Sequence, residues 1–88
     1  MYKVLLHKNA EKFYRNADDN LRKRINRAVD SISQNPYYNI HIKKLQGELS
    51  HMYRYRTGGI RILYEIHEDI KTVRIKTIEA RGNAYKGK

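Results

Sequence analysis

The order of the predicted elements indicates an α+β fold, with two helices packed on one face of a small, twisted, mainly antiparallel sheet. Three observations predict it. A short apolar strand comes first and two helical segments follow. After Pro36 the hydrophobic period changes from helical to alternating. Gly58-Gly59 then separates two alternating segments, which is a strong signal for a two-residue hairpin turn. The length of 88 residues predicts a single domain, 1–88.

The first half of the chain predicts one strand and two helices. Residues 2–7 form the short strand. Asn9 can cap a first helix, whose apolar residues recur at helical spacing: Ala10, Phe13, Tyr14 and Ala17. Asp18 or Asp19 can cap the second helix. Its apolar stripe consists of Leu21, Ile25, Ala28, Val29 and Ile32. Pro36 ends this helix because the proline ring blocks its continuation.

The second half predicts a run of strands. These strands are residues 42–45, 52–57, 60–67 and 72–79. Glu68-Asp69 begins the turn before the last strand. Residues 80–88 contain two glycines and no apolar run, so we expect irregular structure there.

Alternation places an arginine cluster on one face of the hairpin. Counting back from the turn pairs Arg56 with Arg61, and Arg54 shares their face. The opposite face carries Tyr53, Tyr55, Ile60, Ile62 and Tyr64. Because like charges directly opposite in a sheet are destabilising, this cluster indicates a site for an anionic ligand. The alternative is an exposed sheet face that the charges keep soluble.

The net charge also points to an anionic partner. Lys and Arg number 19 against nine Asp and Glu, giving +10. Such a charge favours nucleic acid, an anionic membrane surface or an acidic protein. Lys43-Lys44 could extend the arginine cluster. The cations Arg22, Lys23 and Arg27 lie off the apolar stripe of the second helix, either as a solvated face or as a patch that contacts phosphates.

Several classes of protein and site find no support in the sequence. No apolar run approaches the roughly 20 residues of a transmembrane helix. The chain has no cysteine, which fits a cytoplasmic protein without a disulfide framework. His7, His41, His51 and His67 lack metal-binding spacing, so we expect neither a metal nor a cofactor. His41 and His51 flank the basic hairpin and are candidate phosphate contacts.

Tyr85 lies in a basic C-terminal segment, beside Arg81 and Lys86. Its ring can pack against the protein or stack on an unpaired nucleobase. Placed beside several arginines, its phenol could also act as a general base.

Four segments in order resemble the RelE/ParE superfamily of bacterial and archaeal toxins. They are Lys44-Leu45-Gln46-Gly47, Tyr53-Arg54-Tyr55-Arg56, Gly59-Ile60-Arg61-Ile62-Leu63-Tyr64-Glu65-Ile66 and Ile78-Glu79-Ala80-Arg81-Gly82-Asn83-Ala84-Tyr85. The resemblance covers nearly the whole chain and implies the same α+β fold. RelE-like members cut messenger RNA in the ribosomal A site, whereas ParE-like members inhibit DNA gyrase without the ribonuclease residues. An antitoxin protein neutralises them.

The resemblance implies a role for each matching residue. Arg54 and Arg56 match a basic pair in the first hairpin strand, and Arg61 matches the arginine that contacts the scissile phosphate. Arg81 matches an arginine that donates a proton or stabilises charge. Tyr85 matches a tyrosine that stacks on a base and helps to activate the 2′-hydroxyl. The expected RNA-binding residues are Lys43, Lys44, Arg54, Arg56 and Lys86.

The resemblance therefore implies the toxin of a type II toxin–antitoxin system, a metal-independent, ribosome-dependent mRNA endonuclease that inhibits translation. Its expected partners are an acidic antitoxin, the ribosome and messenger RNA, with no membrane. Two alternatives stay open: a ParE-like, non-enzymatic inhibitor of gyrase, and a basic RNA-binding module without catalysis.

Overall fold

The structure, a computed structural model, describes residues 1–80. Within that range the helices are α1 (Lys8–Asn16) and α2 (Asp19–Gln34). The strands are β1 (Lys3–Leu6), β2 (Ile42–Lys44), β3 (Met52–Thr57), β4 (Ile60–His67) and β5 (Thr72–Ala80). Short 3-10 turns, Gly47–Leu49 and Glu68–Ile70, precede β3 and β5. The predicted α+β fold is confirmed, and both hairpin strands have their predicted bounds.

In residues 1–80 the five strands form one mixed sheet in the order β1-β5-β4-β3-β2. β1 runs parallel to β5, and the other neighbours are antiparallel. The helices contribute Leu21, Ile25, Ala28 and Ile32 to the core, where they meet Ile60, Ile62, Tyr64 and Ile75. One sheet face therefore makes the core, and the other, the open face, is covered by neither α1 nor α2.

The turn between β3 and β4 sets the hairpin register. Arg56 pairs with Arg61 and Thr57 with Ile60, as the Gly58-Gly59 signal predicts. Gly58 has a φ of 55°, a conformation that favours glycine. A Cβ atom there would also lie 2.8 Å from Nη1 of Arg24, on α2. The turn therefore favours glycine for its backbone angle, whereas the contact with Arg24 could be relieved by a shift of that side chain.

Contacts at the helix ends correct two expectations, one about the N-cap of α1 and one about Arg22. The N-cap of α1 is His7, not Asn9: His7 Nδ1 accepts from the backbone N–H of Asn9 at 3.3 Å. Asp18 caps α2 as predicted and accepts from Leu21 N–H at 2.8 Å. Arg22 is not a purely solvated cation. Its guanidinium donates to the carbonyls of Tyr14 and Arg15 at the end of α1, where unpaired carbonyls need donors.

A β-bulge in β5 changes which side chains face the core. Tyr64 pairs with Ile75, but the preceding Leu63 pairs with Thr77, so Lys76 is an extra residue. Before the bulge, Val73 and Ile75 are buried; after it, Ile78 is buried. Strict alternation from Ile75 would have turned Glu79 towards the core. The extra residue instead turns Glu79 to the open face, opposite Arg61.

A polar cluster connects three separate parts of the chain. The Glu68 carboxylate accepts from Tyr2 Oη at 2.7 Å, Tyr37 Oη at 2.8 Å and Lys71 Nζ at 2.8 Å. Donation from Lys71, and then from the two phenols, lowers the pKa of Glu68 to about 2. The hydrogen bond between Tyr37 and Glu68 raises the pKa of Tyr37 to about 12. Glu68 thereby joins the N-terminus, the segment after α2 and the β4–β5 turn.

In residues 1–80, no helix combines the length and apolarity needed to cross a lipid bilayer.

The Glu68 cluster predicts a specific loss of stability in acid. A carboxyl whose pKa is lowered on folding stabilises the fold fully above its unfolded pKa, 4.5, and loses that contribution as the pH falls towards 2. Glu68→Gln should lower the free energy of unfolding at pH 7 and weaken its pH dependence between pH 4.5 and 2. Urea unfolding across this range measures both. The exposed Glu48→Gln is the control, and an unchanged acid slope in Glu68→Gln would contradict the prediction.

Candidate nucleic-acid interface

Arg54, Arg56 and Arg61 lie on the open face of the sheet, where alternation along β3 and β4 puts them. Arg56 and Arg61 are exposed and form a directly opposed pair, whereas Arg54 is half-buried opposite Leu63. Side chains of opposed residues start from Cβ atoms only about 4.5–5.5 Å apart. Arg56 and Arg61 therefore start from neighbouring positions on the open face.

An open pocket of about 540 Å³ lies beside this pair, at the β2 edge of the sheet. Its lining residues are Ile40, His41, Ile42, Lys43, Arg54 and Arg56. Lys43 pairs with Arg54, but the neighbouring Lys44 pairs with Tyr53. The structure thus brings Lys43 and His41 to the pocket and turns Lys44 away from the face that carries Arg54.

Arg54, which lines this pocket, has a buried donor without a partner among the described residues. That donor is its Nε atom. A buried donor left unsatisfied costs about 1–3 kcal/mol. Arginine, moreover, is the side chain best suited to bidentate contact with phosphate. With Lys43, Arg54 and Arg56 in its lining, the pocket therefore has the charge to attract a phosphate group.

Arg61 has an acidic partner that the sequence reasoning missed. Its Nε and Nη2 atoms donate to Oε1 of Glu79 at 3.2 and 2.7 Å. Both side chains remain accessible, with 45% of Arg61 and 42% of Glu79 exposed. The sequence contains only a partial signal: apolar Val73 and Ile75 keep a period of two that Ile78 breaks, but the break does not say which residue is extra.

His51 and His67 meet at a second acidic residue of the open face, Glu65. Nε2 of His67 lies 3.1 Å from Oε1 of Glu65, and Nε2 of His51 lies 3.6 Å from Oε2. His51 is therefore beside a carboxylate, a poorer position for a phosphate contact than that of His41. Across residues 1–80, no three His, Cys, Asp or Glu side chains are arranged to hold a metal ion.

Three predicted site residues, Arg81, Tyr85 and Lys86, lie outside the described residues 1–80. Their roles stay predictions. On the helical side, Lys23 and Arg27 are exposed. The pocket and the opposed arginines occur on the open sheet face, so this face is the better candidate for binding an anion.

A family model matches residues 4–85 of the chain, and its description is the ParE toxin of the type II toxin–antitoxin system parDE. Among curated proteins, no relative matches.

Solved structures of toxins have the same fold. One chain of the RelBE2 toxin–antitoxin complex of Mycobacterium tuberculosis is 25% identical, with a TM-score of 0.78 over 91% of this chain and 98% of that chain. A chain of the archaeal RelE–RelB complex of Pyrococcus horikoshii OT3 is also 25% identical, with a TM-score of 0.77 over 94% and 98%. The isolated E. coli RelE toxin has a TM-score of 0.80 over 97% and 89%; at 16% identity it shows the fold alone.

The pocket predicts a measurable salt dependence of RNA binding. Each phosphate neutralised contributes about −0.7 to the slope of log K against log salt for a single strand. Lys43→Gln should therefore weaken binding of a single-stranded RNA oligonucleotide and make the slope shallower by about 0.7. Fluorescence anisotropy over a series of KCl concentrations measures it.

Lys12→Gln, an exposed lysine on α1, is the matched control and should leave the slope unchanged. If Lys23→Gln on α2 reduces the slope and Lys43→Gln does not, RNA contacts the helical face and the pocket assignment is wrong.

Proposed function

The chain belongs to the ParE toxin family of type II toxin–antitoxin systems, and we propose that this toxin is a ribosome-dependent mRNA endonuclease that cleaves in the A site and thereby inhibits translation. The main support is the opposed pair Arg56 and Arg61 on the open sheet face, with Arg54 in the adjoining pocket. Arginines gathered in this way suit a substrate that carries phosphate groups.

The proposed chemistry requires no metal. The 2′-hydroxyl of the RNA attacks the adjacent phosphorus, and negative charge develops on the phosphoryl oxygens. Fixed cations aimed at that charge are usually the largest single contribution to catalysis. Arg61 and Arg56 would contact the reacting phosphate, and Arg54 with Lys43 would hold a neighbouring phosphate in the pocket.

The C-terminal residues complete the proposed site. Arg81 would stabilise the leaving 5′ oxygen by its charge, because a guanidinium stays protonated at any relevant pH. Tyr85 would stack on a base beside the scissile bond, a contact worth about 1–3 kcal/mol. Its phenol is also a candidate acceptor for the 2′-hydroxyl proton.

The ribosome would supply the alignment that a shallow site lacks. Positioning alone can lower a barrier by about 7–11 kcal/mol when the reacting atoms are held in line. Because the arginine face is open, the free toxin has little to hold RNA in that geometry. We therefore expect slow cleavage of free RNA and fast cleavage of messenger RNA on the ribosome.

The second candidate function is inhibition of DNA gyrase, which the parDE description of the family favours. A gyrase inhibitor would stop DNA supercoiling and leave messenger RNA intact. Adding the purified protein to a translation extract and to a gyrase supercoiling reaction separates the two. New RNA 5′ ends with active gyrase support the endonuclease, whereas blocked supercoiling with intact RNA contradicts it. RNA binding without new ends would indicate a non-catalytic module.

We also propose an acidic antitoxin as the partner. Relatives have been crystallised as RelB–RelE type complexes. An acidic segment would neutralise much of the net charge of +10 and stabilise the folded toxin by mass action.

The role of Arg61 predicts a large loss of cleavage. Arg61→Ala removes a cation from the developing phosphoryl charge and should slow messenger cleavage about 10²–10³-fold, as loss of a comparable donor does elsewhere. A ribosome-coupled translation assay with primer extension measures the rate. Arg15→Ala is the matched control, since Arg15 is an exposed arginine on α1 that also pairs with a glutamate, Glu11, at 3.4 Å.

Both variants should stay folded and melt at about the temperature of the unaltered protein. A folded Arg61→Ala protein that cleaves at the unaltered rate would show that Arg61 does not contact the reacting phosphate.

A further inference from the structure

Glu79 is an acidic side chain at one end of the arginine row on the open face. Across the sheet, the open-face residues Arg56, Arg61 and Glu79 are consecutive cross-strand partners on β3, β4 and β5. A carboxylate at this point repels an RNA phosphate. It therefore offsets part of the positive charge by which the face would attract RNA. This leaves two explanations for its position: Glu79 takes part in the chemistry, or it relieves the repulsion between Arg56 and Arg61.

The fold makes a specific deviation to put Glu79 there. The extra residue Lys76 in β5 reverses the alternation between Ile75 and Ile78. Without the bulge, Glu79 would point towards the apolar core. Bulges are over-represented next to active sites because they redirect individual side chains. Here the redirected side chain is Glu79.

The contact with Arg61 orients the carboxylate and leaves one oxygen for chemistry. Nε and Nη2 of Arg61 both donate to Oε1, at 3.2 and 2.7 Å. Oε2 is thus not the oxygen that holds the guanidinium. With 42% of the Glu79 side chain exposed, the carboxylate is open to a substrate on this face. A phosphate bound by Arg61 would lie within a few ångströms of it.

We propose that Glu79 is the general base of the cleavage reaction and accepts the proton of the attacking 2′-hydroxyl while Arg61 holds the adjacent phosphate. This inference rests on the proposed endonuclease function. It assigns the proton to a residue of β5 and leaves Tyr85 with base stacking alone.

The reaction is balanced with water as the only other participant. Glu79 takes the 2′ proton as O2′ forms a bond to phosphorus, giving a 2′,3′-cyclic phosphate. The P–O5′ bond breaks and its electron pair leaves with the 5′ oxygen, which takes a proton from solvent water. Glu79 then returns its proton to solvent. No oxidant, reductant or net proton is consumed, and the products are a cyclic phosphate end and a 5′-hydroxyl end.

A purely structural role for Glu79 and a role as general base predict different effects of removing its charge. If the carboxylate only relieves repulsion between Arg56 and Arg61, it competes with the RNA phosphate for Arg61. Removing its charge would then strengthen RNA binding and leave cleavage equal or faster. If Glu79 is the general base, removing its charge should leave RNA binding equal or stronger but should slow cleavage. The carboxylate repels the RNA phosphate, yet the reaction needs it to accept the proton.

The test compares Glu79→Gln, Glu79→Asp and Glu11→Gln with the unaltered protein. Gln keeps an oxygen for Arg61 but cannot accept the proton, so ribosome-dependent cleavage should fall about 10²–10⁴-fold without weaker RNA binding. Asp keeps a carboxylate on a shorter stem and should be intermediate; it also keeps the test valid if Glu79→Gln does not fold. Glu11→Gln breaks an exposed glutamate–arginine pair on α1 and should cleave at the unaltered rate.

The outcomes test the endonuclease function and the role of Glu79 as general base separately. If the unaltered protein produces 5′-hydroxyl ends and Glu79→Gln produces them as fast, the endonuclease stands and the general base is wrong. If the unaltered protein makes no RNA ends and instead blocks gyrase, the proposed function fails and the inference fails with it.

Discussion

The opposition of Arg56 and Arg61 across the β3–β4 hairpin is the constraint on which the functional account depends. Two like charges held face to face in a sheet are unfavourable, and a short two-residue turn gives the strands no freedom to slip apart. The repulsion is compensated from β5, where Glu79 holds Arg61 through two hydrogen bonds. The result is a row of two arginines and one carboxylate across β3, β4 and β5.

The apolar core is built without the arginines of this face. Apolar side chains of both helices pack on the other side of the sheet, and Tyr64 is buried there with its hydroxyl donating to Pro36 O at 2.7 Å. The Glu68 cluster ties the N-terminus to the β4–β5 turn without using any arginine of the open face. Changes to Arg61 or Glu79 therefore alter chemistry without removing core contacts, which makes the face accessible to mutational analysis.

Local signals in the sequence predicted most of the fold. Gly58-Gly59 defined the hairpin and hence the arginine register, because a two-residue turn fixes which residues are opposed. Asp18 and Pro36 marked the ends of α2 within a residue or two. Glu79 could not be predicted in the same way, since strict alternation gives the wrong face and a bulge depends on pairing between β4 and β5. The Glu68 cluster was also missed, because it joins residues that are far apart in the sequence.

The most direct measurement of the central claim is a double-mutant cycle on the single-turnover rate of ribosome-bound messenger cleavage, with Arg61→Ala, Glu79→Gln and the double variant. If Arg61 and Glu79 act as a unit on one phosphate and its attacking hydroxyl, the second change should add little to the first, as groups that act together are strongly non-additive. Losses that simply multiply would mean that the two residues act independently and would contradict the account.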